Sequence, residues 1–107
     1  MNEVRFQKFL NAHGFVERPD LSSIDGPMGN SISAFSSGAF HLRKVVDRGQ
    51  RFLDVRSSDK SEWLDVFEAI KAVDPDFSPK TGSFDEAVTQ LAVYYPKLVM
   101  TSNEHFL

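Results

Sequence analysis

The chain has 107 residues, 41% of them apolar, with ten phenylalanines and a formal net charge of −3. That is enough apolar volume for one modest core, which argues against global disorder, and the charge is too mild to name a partner. Cysteine is absent, which rules out disulfides and thiolate metal sites, and no apolar run approaches the roughly 18 residues that span a bilayer.

The start, Met1-Asn2-Glu3-Val4-Arg5-Phe6, is polar and amphipathic and does not read as a signal peptide. A cytoplasmic location is the simplest expectation, because small secreted domains usually need disulfides. We read residues 1–107 as a single domain. Residues 3–13 form the first predicted helix, with Phe6, Phe9, Leu10 and His13 at i, i+3, i+4, i+7. Asn2 is its predicted N-cap. Gly14 is its predicted C′ residue, free to take positive φ, and Phe15 is expected to fold back on the last turn.

Residues 16–30 contain Pro19, Gly26, Pro27 and Gly29 and read as a loop anchored by Leu21 and Ile24. Three strands are expected next: Ser31–Ser37, Ala39–Val46 and Gln50–Arg56. Gly38 marks a turn between the first two, and Gly49 closes a hairpin between the last two. A loop of Asp47–Gln50 sets Val46 against Arg51, Val45 against Phe52, Lys44 against Leu53, Arg43 against Asp54 and Leu42 against Val55. This register gathers Phe40, Leu42, Val46, Leu53 and Val55 on one face and pairs opposite charges across the strands.

A second helix is expected from Asp59–Ser61, capped by Asp59 with Glu62 and striped by Trp63, Val66, Phe67 and Ile70 up to Pro75. Residues 74–82 read as a connector. Ser83-Phe84-Asp85-Glu86 is a capping box opening a third helix, striped by Phe84, Val88, Leu91 and Tyr95. Pro96 lacks the N–H that would bond Ala92, so the helix is expected to end or kink near Tyr94, and Lys97–Met100 to form a further turn. The expected fold is α+β: an N-terminal helix, a three-stranded antiparallel sheet, and two C-terminal helices (three if the chain restarts at Pro96) packed on one face.

Motifs for chemistry are sparse. His13, His41 and His105 stand in no metal-binding spacing, and there is no Walker A sequence, dinucleotide fingerprint, EF-hand loop or nucleophile elbow. No catalytic residue, metal site or cofactor is expected, and the protein is not expected to be an enzyme. A pocket gathering Asp47, His41, Arg43 and Asp54 would argue for catalysis. Charge is unevenly placed. Residues 43–60 carry six basic and three acidic side chains, whereas residues 61–107 carry three basic and eight acidic ones. Glu62, Asp65 and Glu68 are spaced to share a helical flank. The basic hairpin, with Phe52 and Phe40, admits a nucleic-acid-binding alternative, disfavoured by the interleaved Asp47 and Asp54 and by the negative total.

The run Leu42-Arg43-Lys44-Val45-Val46-Asp47-Arg48-Gly49-Gln50-Arg51-Phe52-Leu53-Asp54-Val55, followed by Glu62-Trp63-Leu64-Asp65 and by Ser83-Phe84-Asp85-Glu86-Ala87 to Tyr94-Tyr95-Pro96-Lys97-Leu98-Val99, resembles small bacterial immunity-type proteins of contact-dependent or polymorphic toxin systems. The resemblance spans roughly residues 40–100. It implies a cytoplasmic inhibitor that binds a cognate toxin domain and blocks its active or substrate-binding surface, with no membrane or cofactor and no catalytic residues. For a basic nuclease toxin, the contact set is Glu62, Asp65, Glu68, Asp74, Asp76, Asp85 and Glu86. For a toxin with an acidic or metal-rich active site, it is Arg48 and Arg51 at the hairpin tip. The acidic set is slightly preferred. The alternative is a regulatory or homo-oligomeric interaction module, joined through Trp63 or Tyr94–Tyr95.

Overall fold

The computed structural model describes residues 2–25, 30–38, 40–58 and 60–102. In chain order it has helix α1 (Asn2–Ala12), strand β1 (Val16–Glu17), a 3-10 turn (Pro19–Leu21), β2 (Ser23–Asp25), β3 (Asn30–Ser37), β4 (Phe40–Asp47), β5 (Gln50–Ser57), β6 (Leu64–Asp65), α2 (Val66–Val73) and α3 (Phe84–Ser102). The expected α+β class holds, but the three-stranded sheet does not. The sheet is antiparallel throughout and runs β1-β3-β4-β5-β6, with β2 also paired to β3. The added strands have two or three residues each, too few to show an alternating pattern.

The β4–β5 register is the expected one, including Arg43 opposite Asp54 and Leu42 opposite Val55. The turn is tighter than expected, because Asp47 also pairs with Gln50, leaving a two-residue loop of Arg48 and Gly49. Both have positive φ, 54° and 81°, as a type I′ hairpin turn requires. The Arg48 N–H donates to Asn30 Oδ1 at 2.9 Å.

Three helices cover one face of the sheet. Phe6, Phe9 and Leu10 of α1, Val66, Ala69 and Ile70 of α2, and Phe84, Val88, Leu91 and Leu98 of α3 pack onto Phe40, Leu42, Leu53 and Val55. Gly14 takes φ 70°, the Phe15 N–H bonds back to Leu10 O at 2.9 Å, and Phe15 is buried against Phe9, as expected of a helix closed by glycine. Asn2 is itself helical rather than a cap.

Four local expectations are overturned. Ile24 is 82% exposed and anchors nothing, although Leu21 is half-buried. Helix α2 starts at Val66 with Asp65 as its N-cap, its carboxylate accepting from the Phe67 N–H at 3.0 Å. Glu62 therefore lies before the helix, while Asp59 falls outside the described residues. Trp63 leaves the helical stripe and precedes β6. Finally, α3 does not end near Tyr94 but continues as helix through Pro96 to Ser102. Pro96 and Ala92 are both exposed, so water can meet the carbonyl that proline leaves unpaired.

On its β1/β2 side, β3 is bridged between the two short strands by the 3-10 turn. The Arg18 N–H donates to Ala34 O at 2.8 Å, and Ser22 Oγ accepts from the Ala34 N–H at 3.0 Å. β3 is thus a central strand, flanked on its other side by β4.

Candidate functional site

Strand alternation that sends Phe40, Leu42, Leu53 and Val55 into the core sends Ser36, His41, Arg43, Asp54 and Arg56 to the other face, away from the helices. Pairing sets His41 beside Ser36 and Arg56, Arg43 beside Ala34 and Asp54, and Asp54 beside Asp65. Trp63, just before β6, returns over this face. The Arg43 guanidinium lies 4.6 Å and the Arg56 guanidinium 5.1 Å from the centre of its ring, within cation–π range.

Arg43 Nε also donates to Asp54 Oδ2 at 2.8 Å, in a half-buried ion pair. Arg56 Nη1 donates to Lys60 O at 2.6 Å, and its buried Nε has no hydrogen-bond partner among the described residues. Burial pushes the Asp65 carboxyl above its ordinary value; the N–H of Phe67 opposes this, and the charges of Asp54 and Glu68 add to it. The face thus alternates positive and negative groups around one indole.

A polar chain borders this array. The His41 ring is only 6% exposed. Its Nδ1 lies 2.5 Å from Ser36 Oγ and its Nε2 lies 2.7 Å from Ser58 Oγ. Ser36 Oγ also accepts from Arg18 Nη1 at 3.2 Å, and Arg18 grips Asp20 through two hydrogen bonds of 2.9 and 2.6 Å. Burial pulls the His41 pKa below its ordinary value, helped by the charges of Arg56 and Arg18 and opposed by Asp20. A neutral imidazole held from both sides fixes two serines and the turn carrying Arg18, and it can pass a proton between the two hydroxyls. A depression of about 290 Å³ beside the Trp63 segment is lined by Lys60, Ser61, Glu62 and Leu64.

The residues expected to bind a partner are spread over the surface. Glu62 lines that depression. Asp65 caps α2, and Glu68 is exposed on it, 3.9 Å from Lys71. Asp74 accepts from the Tyr94 hydroxyl at 2.5 Å, and Asp76 is exposed on the connector. Asp85 and Glu86 lie in the first turn of α3. Glu86 is tied to the preceding loop, accepting from the N–H groups of Lys80, Thr81 and Gly82 at 2.7–2.8 Å. Arg51 Nη1 bonds Glu3 at 2.7 Å, and its guanidinium lies 5.2 Å from the Phe84 ring, so it fastens the hairpin to α1 and α3. Arg48 remains at the exposed hairpin tip.

Phe40 is buried at the far end of β4 from the hairpin, so it does not join Phe52 beside the basic tip. Tyr95 packs on Phe9, Phe15 and Phe40, and Tyr94 on Phe77, which turns both tyrosines inward. His13 stacks near Phe9 and Tyr95 at the edge of the core, and His105 lies outside the described residues. Among the described residues there is no cluster of three or more His, Asp or Glu suited to a metal ion, and no helix is long and apolar enough to cross a membrane.

The Trp63 array escaped sequence reasoning because Trp63 fits the period of the α2 stripe by chance. The alternation of β4 did carry a signal, since it opposes His41 and Arg43 to the core set. No protein-family model, curated protein or solved structure matches this chain.

Proposed function

We propose that the protein is a cytoplasmic binding domain of the immunity type, which neutralises a cognate bacterial toxin domain by covering its active or substrate-binding surface. The observation that carries the reading is the placement of two guanidinium groups over Trp63 on the helix-free face of the sheet. Tryptophan and arginine dominate the binding energy of protein interfaces, especially where neighbouring groups keep them in place. Here the Arg43–Asp54 pair and the bond from Arg56 to Lys60 O hold both guanidinium groups before any partner arrives. Less side-chain freedom is then lost on binding. The mixed signs of Arg43, Asp54, Arg56 and Asp65 set the register of a complementary partner surface and disfavour a uniformly charged one.

Protection of cells tests the reading. Cells expressing the toxin domain encoded beside this chain's gene are expected to survive when the wild-type protein is co-expressed. Trp63→Ala and Arg56→Ala, each checked by circular dichroism for an intact fold, are expected to lose protection. Death of cells carrying the wild-type protein would refute the immunity function. Full protection by both variants would refute the sheet face as its surface.

A further inference from the structure

The largest described depression lies on the opposite side of the molecule, along the outside of α1 and α3, with a volume of about 640 Å³. The two helices run side by side in the same direction: Phe6 meets Phe84 near their starts and Phe9 meets Tyr95 further along. Phe9 and Val88, both buried, form the floor of the trough, and Val93, 65% exposed, forms one apolar wall. Arg5 and Lys8 stand along the other wall, one helical turn apart.

The charges there are one-sided. Among the described residues Arg5 makes one long 3.4 Å bond, to Thr89, and Lys8 has no ion-pair partner. The lining of the trough itself holds no acid; of the acids near it in sequence, Glu3 binds Lys44 and Arg51 and Glu86 binds its loop, while Asp85 is exposed at the start of α3 and shares the adjoining depression with Arg5. An apolar floor with a cationic rail complements a ligand that has an apolar stripe and an acidic flank.

We propose that the α1–α3 trough is a docking site for an acidic amphipathic helix of a partner protein. A helix places apolar residues at i, i+3, i+4 and i+7 on one side and carboxylates on the next, which matches a floor bordered by Arg5 and Lys8. The trough is open along its length. A slender acyl chain would remain wet on one side, whereas a helix about 10 Å across brings its own covering surface. The described helices of a second copy use their apolar stripes in the core, so they do not supply the occupant.

The probe is a fluorescein-labelled synthetic peptide of about 14 residues, about 21 Å long as a helix, with leucines in one stripe and glutamates along one flank. Its twin carries lysine for each glutamate. The wild-type protein is expected to bind the glutamate peptide at least about tenfold more tightly than the twin, less so in high salt. Lys8→Glu combined with Arg5→Glu is expected to reverse the preference, and Val93→Asp to weaken both peptides. Amide resonances that shift should belong to α1 and α3, and Trp63→Ala should leave peptide binding unchanged, which separates this site from the sheet face.

Equal binding of the two peptides, no binding by the wild type, or wild-type binding by the Val93 variant would overturn the proposal. So would competition by phosphatidylglycerol vesicles that displaces the peptide, or loss of the site to a dimer seen by sedimentation. Thermal melts of the variants establish that each is folded.

Discussion

Replacing Arg48 by asparagine should stabilise the protein. Arg48 sits at φ 54° in the first position of the β4–β5 turn, a conformation that costs a side-chain-bearing residue about 1–2 kcal/mol. Asparagine tolerates it far better, and Asn-Gly is the preferred pair for this turn. Little is lost in exchange. The Arg48 side chain is exposed, and the bond to Asn30 comes from the main-chain N–H, which the Arg48→Asn variant would keep. The expected gain is about 1 kcal/mol, or about 4–6 °C in Tm for a domain of this size. Urea unfolding of both proteins measures it, as a higher midpoint with an unchanged slope. The neighbouring glycine gives the reverse control. A Cβ built at Gly49, φ 81°, meets nothing within 4 Å, so Gly49→Ala should lose about 1–2 kcal/mol through backbone strain alone. An unchanged or lower midpoint for Arg48→Asn would refute the strain argument.

Protonation of His41 should weaken the fold. Its pKa is depressed in the folded chain, so its contribution is complete above about pH 6.5 and is lost as the pH falls through the folded value; His41→Gln should flatten that limb of a pH–stability curve. Glu86 acts lower. The N–H groups of Lys80 and Thr81, with a smaller share from Gly82, hold its pKa down to about 2. Its stabilisation should persist above about pH 4.5, vanish as the pH falls through about 2, and be missing in Glu86→Gln, as read by acid titration of the circular dichroism signal. Leu91→Ala, at a site with no exposure at the centre of α3, should lose about 2–5 kcal/mol in chemical denaturation.

The parts legible in the sequence are those where periodicity and turn chemistry agree. The register of β4 and β5 follows from sidedness, because a slip of one residue would bury Asp54 or expose Leu53. Helix α1 follows from its stripe and Gly14. The start of α3 follows from the Ser83 capping box, whose hydroxyl accepts from the Glu86 N–H at 3.1 Å. What stayed hidden depends on partners distant in the chain. β1, β2 and β6 exist because β3 and β5 offer edges to pair with, not because Val16–Glu17 or Leu64–Asp65 prefer to be strands. Pro96 stays helical because the turns on both sides of it are fastened by packing, Leu91 and Leu98 being fully buried. The candidate site was half visible. His41, Arg43 and Asp54 could be placed on one face from alternation, but Trp63 joins them only through the return of β6.

The bridged flank of β3 also governs how this protein behaves in company. A bare strand edge of eight residues would present a ladder of open donors and acceptors to any other chain, the usual seed of aggregation. Here β1 takes Phe35 and Ser36, β2 takes Asn30 to Ile32, and the Arg18 N–H and Ser22 hydroxyl occupy Ala34 between them. What remains is broken into pieces too short for an added strand to grip. Residues 16–25 work as a guard, and their cost in chain length is repaid in colloidal stability.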